Sequence, residues 1–126
     1  MRVFKNGFVV AVALLGVAGP AYSQKATEQY IPIGQSPGLS GKLTYLGAIT
    51  QISATSQTIT VRDTSAPLAV RMSKATRIWL DRSKLKQTNI SGTWADLKPG
   101  RRVEVKFVDP KRRDVAEWVK VEITQE

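Results

Sequence analysis

Strict alternation of apolar and charged residues after a Pro-Gly pair constrains the fold of this chain more than any other feature. Pro99 fixes its own φ angle and Gly100 can adopt a positive φ, so the two together predict a tight turn. Such alternation predicts a β-strand with one buried face and one solvated face. The expected inward residues are Val103, Val105 and Phe107, and the expected outward residues are Arg102, Glu104 and Lys106.

A single helical turn is expected just before this strand. Thr93 is suited to cap a turn over Trp94–Leu97, where Asp96 would lie near the positive end of the turn. Leu97 would then point into the sheet and plug its end. This unit is typical of small closed sheets and indicates no single function.

Other segments in which apolar and polar residues alternate lie before and after this unit. Gly47 and the loss of alternation at Ile52 predict a bulge in the first strand. Turn residues recur every ~8–12 residues, as in a sandwich or small barrel. We therefore predict an all-β domain, a five- or six-stranded OB-like barrel with one short helical turn. Strands are expected at residues 42–53, 57–63, 68–72, 76–81, 101–108 and 115–123, with loops at 82–92 and 109–114.

The first 23 residues have the parts of a secretory signal peptide. Arg2 and Lys5 precede a short apolar run, and small residues lie before the expected cleavage after Ser23. The run is about half of the ~20 residues that span a bilayer, which favours a signal peptide over a retained anchor. We expect residues 1–23 to be removed, 24–41 to form an extended, poorly ordered arm, and 42–126 to form the domain, in the periplasm or secreted. The apolar stretch Tyr30–Ile33 is expected to dock on its own sheet rather than on a partner.

Turn and core residues recur at 47–52, 57–61, 75–78, 96–105 and 115–116. Together these segments resemble exported bacterial domains of unknown function that contain a small OB-like barrel. The resemblance spans Lys42 to Ile123 and implies a fold more than a chemistry. Proteins of this kind are thought to bind small or polymeric ligands or partner proteins. The resemblance assigns no role to any particular residue of this chain.

Net charge favours anionic partners. The chain has 19 Lys and Arg residues against 10 Asp and Glu residues, and removal of Arg2 and Lys5 would leave 17 against 10, a net charge near +7. Such an excess favours nucleic acid, lipopolysaccharide, acidic polysaccharide or phospholipid as ligands. Solubility alone is an equally good explanation of this charge.

Residue content argues against an enzyme. The chain has no histidine and no cysteine, which excludes the common catalytic triads and zinc sites. Ser73-Lys74 and Ser83-Lys84 are conceivable Ser-Lys dyads, but such short motifs arise readily in turns. The sequence shows no EF-hand spacing and no Gly-rich phosphate loop, so we expect no cofactor and no metal.

Two basic loops and two tryptophans are the predicted ligand-binding residues. Trp79 and Trp118 fall on the outward parity of their strands, where they would offer stacking surfaces unless a bulge turned them inward. We expect a non-enzymatic exported module for an anionic ligand or partner. The alternative is an accessory protein that pairs with an envelope protein through a strand edge and the N-terminal arm. The basic candidates are Arg82, Lys84, Lys86, Arg112 and Arg113.

Overall fold

Seven strands form one sheet in the described part of the chain. The computed structural model describes residues 27–125, so the predicted signal peptide, residues 1–23, lies outside the described residues. The fold is all-β, with one helical turn at 27–29 and two 3-10 turns, Ser83–Leu85 and Trp94–Asp96. The strands are β1 Thr44–Ser53, β2 Thr58–Arg62, β3 Leu68–Arg71, β4 Arg77–Asp81, β5 Ile90–Ser91, β6 Arg102–Asp109 and β7 Arg112–Glu122. Among residues 27–125, no helix is long and apolar enough to cross a membrane.

The sheet curves until it meets itself. Its strand order is β3-β2-β1-β6-β7-β4-β5, and β3 also pairs with β7 in parallel, with Arg71 opposite Val115. This pairing closes a ring of β1, β2, β3, β7 and β6. The Arg71 guanidinium donates two hydrogen bonds, of 2.8 and 2.7 Å, to the Asp114 carboxylate beside the closure.

Apolar residues of alternate positions fill the ring, as their period of two predicts. Val103 and Val105 of β6 lie opposite Val121 and Val119 of β7, and none of the four is exposed. Burial of apolar side chains drives this closure, at about 25 cal/mol per Å² removed from water. The remaining core residues are Tyr45, Ile49, Ile59, Val61, Val70, Leu97, Phe107, Ala116 and Ile123.

The first strand has the irregularity that its sequence predicts. Pairing between β1 and β2 shifts register between Ile49 and Gln51. Gly47 lies where β1 approaches β2 closely, because a Cβ there would be 2.6 Å from the carbonyl oxygen of Arg62. Glycine at this position therefore permits the close approach of the two backbones.

The capped turn before β6 is also as predicted. The Asp96 carboxylate accepts a hydrogen bond of 2.8 Å from the Thr93 N–H, and Leu97 is buried in the core. Gly100 has φ of +93°, and its N–H donates to the Ile49 carbonyl. The turn therefore fixes where β6 enters the sheet beside β1.

Two predicted loops contain more regular structure than expected. The stretch from Arg82 to Gly92 includes the first 3-10 turn and β5, whose two residues are too short to show a period. β7 begins at Arg112, so Arg112 and Arg113 lie on a strand rather than in the hairpin loop. The β6–β7 hairpin is tight, with Asp109 opposite Arg112.

A chain of turns covers one face of the sheet. We call residues 27–43 the N-terminal cover. An extended arm was expected at residues 24–41 and the first strand from Lys42, but residues 27–43 form the helical turn and a succession of tight turns, with φ of +80° at Gly34 and +73° at Gly38. The cover lies over the side of β4, β6 and β7 that faces away from the core, which we call the outer face. Ile33 of the cover is only 5% exposed.

Candidate functional site

The end of the sheet where β4 and β7 terminate carries one of the two predicted basic clusters. Asp81, the last residue of β4, lies opposite Glu122, the last residue of β7, and the Arg82 loop follows directly. We call Arg82, Lys84, Lys86, Arg101 and Arg102 the basic end. Arg101 and Arg102 precede or begin β6, whose residue Val103 pairs with Val121, so the ring brings them to the same end.

Hydrogen bonds to Asn89 hold the Arg82 loop in place. The buried Asn89 side chain accepts the Arg82 N–H at 2.7 Å and donates to the Gln29 carbonyl at 3.1 Å. Lys86 ends the 3-10 turn in the left-handed conformation, with φ of +57°. The loop is thus attached to both the sheet and the N-terminal cover, which limits the positions that its lysines can reach.

Two cations of the basic end share one carboxylate. Lys84 Nζ lies 3.3 Å and Arg102 Nη1 lies 3.6 Å from Glu122 Oε2. The lysine and arginine side chains are 60% and 47% exposed, whereas that of Glu122 is 11% exposed. Two solvent-facing positive charges therefore share one partly buried negative charge, so this part of the surface has a net positive charge.

The second basic cluster lies at the opposite end of β7. Arg112 and Arg113 begin the strand that Glu122 ends, which separates the clusters by roughly 30 Å at about 3.3 Å per residue. The Arg113 guanidinium lies 5.6 Å from the centre of the Tyr45 ring. The hydrogen bonds from Arg71, with its charge and that of Arg112, hold the pKa of Asp114 below its usual value. The structure therefore does not join the two predicted clusters.

Both predicted stacking tryptophans lie on the outer face, but they are covered. Trp79 and Trp118 are 4% and 3% exposed, and their ring centres are 5.3 Å apart. No bulge turns them into the core; the N-terminal cover lies over the face they occupy. The expectation of open stacking surfaces is corrected accordingly, because parity alone does not say whether a second layer covers a face.

Buried charges between the sheet and the cover are the site residues that the sequence prediction missed. Glu104 and Lys120, paired across β6 and β7, were expected in water but have no exposed surface. Lys120 Nζ donates to Glu28 Oε2 at 3.0 Å and to the Ile31 carbonyl at 2.7 Å, and it lies 4.9 Å from the Trp118 ring centre.

The Glu104 carboxylate, like the Lys120 ammonium, is held by several hydrogen bonds. Its carboxylate accepts hydrogen bonds from the Gly34 N–H at 2.9 Å and from the hydroxyls of Ser40 and Thr44 at 2.6 and 2.8 Å. Nearby, Asp81 accepts the Ile33 N–H at 2.9 Å. The apolar stretch at residues 30–33 was the one sequence signal that something could cover these charges.

The pKa of Asp81 reflects this arrangement. Burial alone would raise the pKa of this carboxyl, but hydrogen bonds from Ile33 and Ser83 and the charge of Lys120 together lower it below the usual value. Asp81 is therefore an ionised acceptor that ties the cover to β4.

Residues 27–125 contain no cluster of three or more acidic, histidine or cysteine side chains that could hold a metal ion. Of the two conceivable dyads, Ser73 contacts Thr76 and accepts the Ala75 N–H, whereas Lys84 of the other pairs with Glu122. Among residues 27–125, neither serine hydroxyl makes a hydrogen bond with the lysine that follows it.

Comparisons with known proteins identify no relative. No protein-family model, curated protein or solved structure matches the chain.

Proposed function

We propose that the chain is an exported, non-enzymatic binding module that holds an anionic polymer at its basic end. The observation that carries this proposal is the convergence of Lys84 and Arg102 on the single carboxylate of Glu122. Both cations face solvent beside the Arg82 loop. A polyanion can contact them and release its counterions, which favours association.

The architecture supports this proposal. The ring of β1, β2, β3, β7 and β6 has the strand number of an OB-like barrel, the fold that we propose for the domain. Such barrels use loops at one rim to bind oligosaccharides and oligonucleotides. Export to the periplasm or beyond follows from the predicted signal peptide, and nothing in the ligand chemistry requires a cofactor.

Salt dependence tests the electrostatic basis of binding. Heparin, lipopolysaccharide and DNA would each be titrated into the protein at low and high salt, with amide shifts read by NMR. A contact with about three phosphates predicts a loss of roughly 40-fold in DNA affinity between about 50 and 200 mM salt. An affinity for all three polymers that does not change with salt would contradict the proposal.

Paired charge variants locate the site. Lys84→Gln with Arg102→Gln removes two positive charges at the basic end, and Lys111→Gln with Arg112→Gln removes two at the other end. We expect the first pair of substitutions to weaken binding by about tenfold or more, as loss of charged hydrogen bonds predicts. The second pair should change it little. If the second pair weakened binding and the first pair did not, the site would lie at the opposite end of β7, and this assignment would be wrong.

The accessory-protein alternative has less support. Glu28, Ile31 and Ile33 of the N-terminal cover make their contacts with the sheet of their own chain. The cover is therefore engaged within the molecule, and a partner would have to replace these contacts before using the arm.

A further inference from the structure

A short groove opens at the basic end, on the side away from the N-terminal cover. Leu80, Ile90 and Ile123 supply its apolar lining, and its volume is about 240 Å³. Ile90 is 40% exposed, so part of this lining faces water. A concave apolar lining with a few polar groups at its edge is typical of ligand-binding sites.

Two arginines border the apolar lining. Arg82 Nε donates to the Thr88 carbonyl at 2.8 Å, and Arg101 Nη1 donates to the Asp96 carbonyl at 2.8 Å. Within residues 27–125, each guanidinium makes this one hydrogen bond through a single nitrogen. The other N–H donors of both groups remain able to bind an anion while the backbone contacts hold the groups in place.

The one acidic residue of the groove is already engaged. The Asp96 carboxylate accepts the Thr93 N–H at 2.8 Å, so part of its acceptor capacity is used by the capped turn. Two guanidinium groups against one occupied carboxylate leave the rim positive. An anion is therefore the charge-complementary occupant.

Close packing fixes the wall formed by β5. A Cβ at Gly92 would lie 2.5 Å from Leu80 Cδ2, and the Gly92 N–H donates to the Ile78 carbonyl at 2.8 Å. The chain after β5 is thus held directly against Leu80. The groove is consequently part of the folded structure and does not have to be opened by a ligand.

We propose that this groove binds a phosphate carried on an alkyl chain, as in a lipid. The phosphate would lie between Arg82 and Arg101, and the first part of the chain would lie on Leu80, Ile90 and Ile123. The volume is smaller than the ~300–1,000 Å³ of typical small-molecule sites, so only the portion nearest the phosphate fits. This inference rests on the proposed function and narrows its ligand class to amphipathic anions.

Three probes separate the contributions of head and tail. Octyl phosphate carries both parts, inorganic phosphate carries the head alone, and octyl glucoside carries a neutral head on the same tail. Each would be titrated into the protein below its micellar concentration, with amide shifts of residues 80–101 and 123 followed by NMR. We expect octyl phosphate to bind at least about tenfold more tightly than either control, because only it uses both surfaces.

Matched variants test the location. Ile90→Ser should weaken octyl phosphate binding about fivefold, whereas Val108→Ser, at an exposed valine elsewhere, should not. Arg101→Gln should weaken it by about tenfold or more and Arg112→Gln should not. Arg82→Gln gives a second test of the rim should Arg101→Gln impair folding, which circular dichroism would reveal.

Two results would overturn this assignment. One is octyl phosphate binding no more tightly than inorganic phosphate or octyl glucoside. The other is tighter binding that Ile90→Ser and the rim variant leave unchanged. Polyanion binding that still depends on Lys84 and Arg102 would then leave the proposed function standing, so the two ideas fail separately.

Discussion

Lys120 is a charged residue in a position that water does not reach. Its side chain has no exposed surface, and its ammonium binds Glu28 and the Ile31 carbonyl. Placing such a pair in the interior carries a desolvation penalty that its attraction offsets only with good geometry. The hydrogen bonds of Lys120 to Glu28 and Ile31 join the N-terminal cover to β7.

Replacement of Lys120 by methionine should be strongly destabilising. The Glu28 carboxylate, whose side chain is only 16% exposed, would lose its cation, at a cost of about 3 kcal/mol in the free energy of unfolding. Urea denaturation measures this loss. Lys106→Met is the matched control, because Lys106 and Glu117 form a pair whose side chains are 29% and 30% exposed, where about 1 kcal/mol or less is expected. Equal losses in the two variants would show that burial of Lys120 does not matter.

Acid should weaken the contact between Asp81 and the N-terminal cover. The pKa of Asp81 is lowered in the folded state, so its contribution is present above about pH 4, the unfolded value, and is lost as the pH falls through the lower folded value. Asp81→Asn should flatten this part of the stability profile measured by urea denaturation. A variant profile parallel to that of the parent down to about pH 2 would contradict the assignment.

At the scale of elements, alternation predicts the face of a residue but not the layer above that face. Val103 and Val105 could be placed in the core from their spacing, and the outward parity of Trp79 was also correct. Glu104 has the same parity as a solvated residue, and its burial depends on hydrogen bonds from Ser40 and other residues some sixty positions away. The alternation of residues around Glu104 does not indicate which distant residues will bind its side chain.

The basic clusters show the same limit. Their composition was evident from the sequence, but their separation depends on the parallel register that aligns Asp81 with Glu122. β5 was missed because Ile90 and Ser91 are too few to display a period. The groove beside them depends on that strand and could not be anticipated without it.

Loosening the N-terminal cover should expose the tryptophan pair without unfolding the sheet. Ile33→Ala removes most of a side chain that is 5% exposed, at a cost of about 2 kcal/mol or more. In a Trp94→Phe background, the emission of Trp79 and Trp118 should shift to the red and become more accessible to iodide. Far-ultraviolet circular dichroism should stay unchanged.

Tyr30→Ala is the control for that experiment, because Tyr30 is 54% exposed. It should leave emission and quenching as they are. Quenching that is the same in the Ile33 variant and in this control would mean that the cover does not shield the indoles.

At the scale of the whole molecule, the ring closes through distant residues. Arg71 and Asp114 are 43 positions apart, and they flank the β3–β7 pairing. Contacts of this range are formed slowly, and domains dominated by them fold in milliseconds to seconds. The fold should therefore depend on late-forming pairings rather than on local structure.

Folding kinetics should separate the cover from the ring. If the cover docks after the rate-limiting step, Ile33→Ala should speed unfolding by roughly thirtyfold for a loss of about 2 kcal/mol and leave refolding nearly unchanged. Val105→Ala, in the ring, should slow refolding. Stopped-flow fluorescence measures both rates, and slower refolding of the Ile33 variant would place the cover in the transition state.

The contact between the cover and Lys120 also imposes an order on biogenesis. Glu28 and Lys120 lie 92 positions apart, near the two extremes of the described chain. Glu28 is synthesised before Lys120, so the cover cannot make this contact until β7 has left the ribosome or a translocation channel. Until then, the ion pair between Lys120 and Glu28 cannot hold the cover over Trp79 and the buried charges of the outer face.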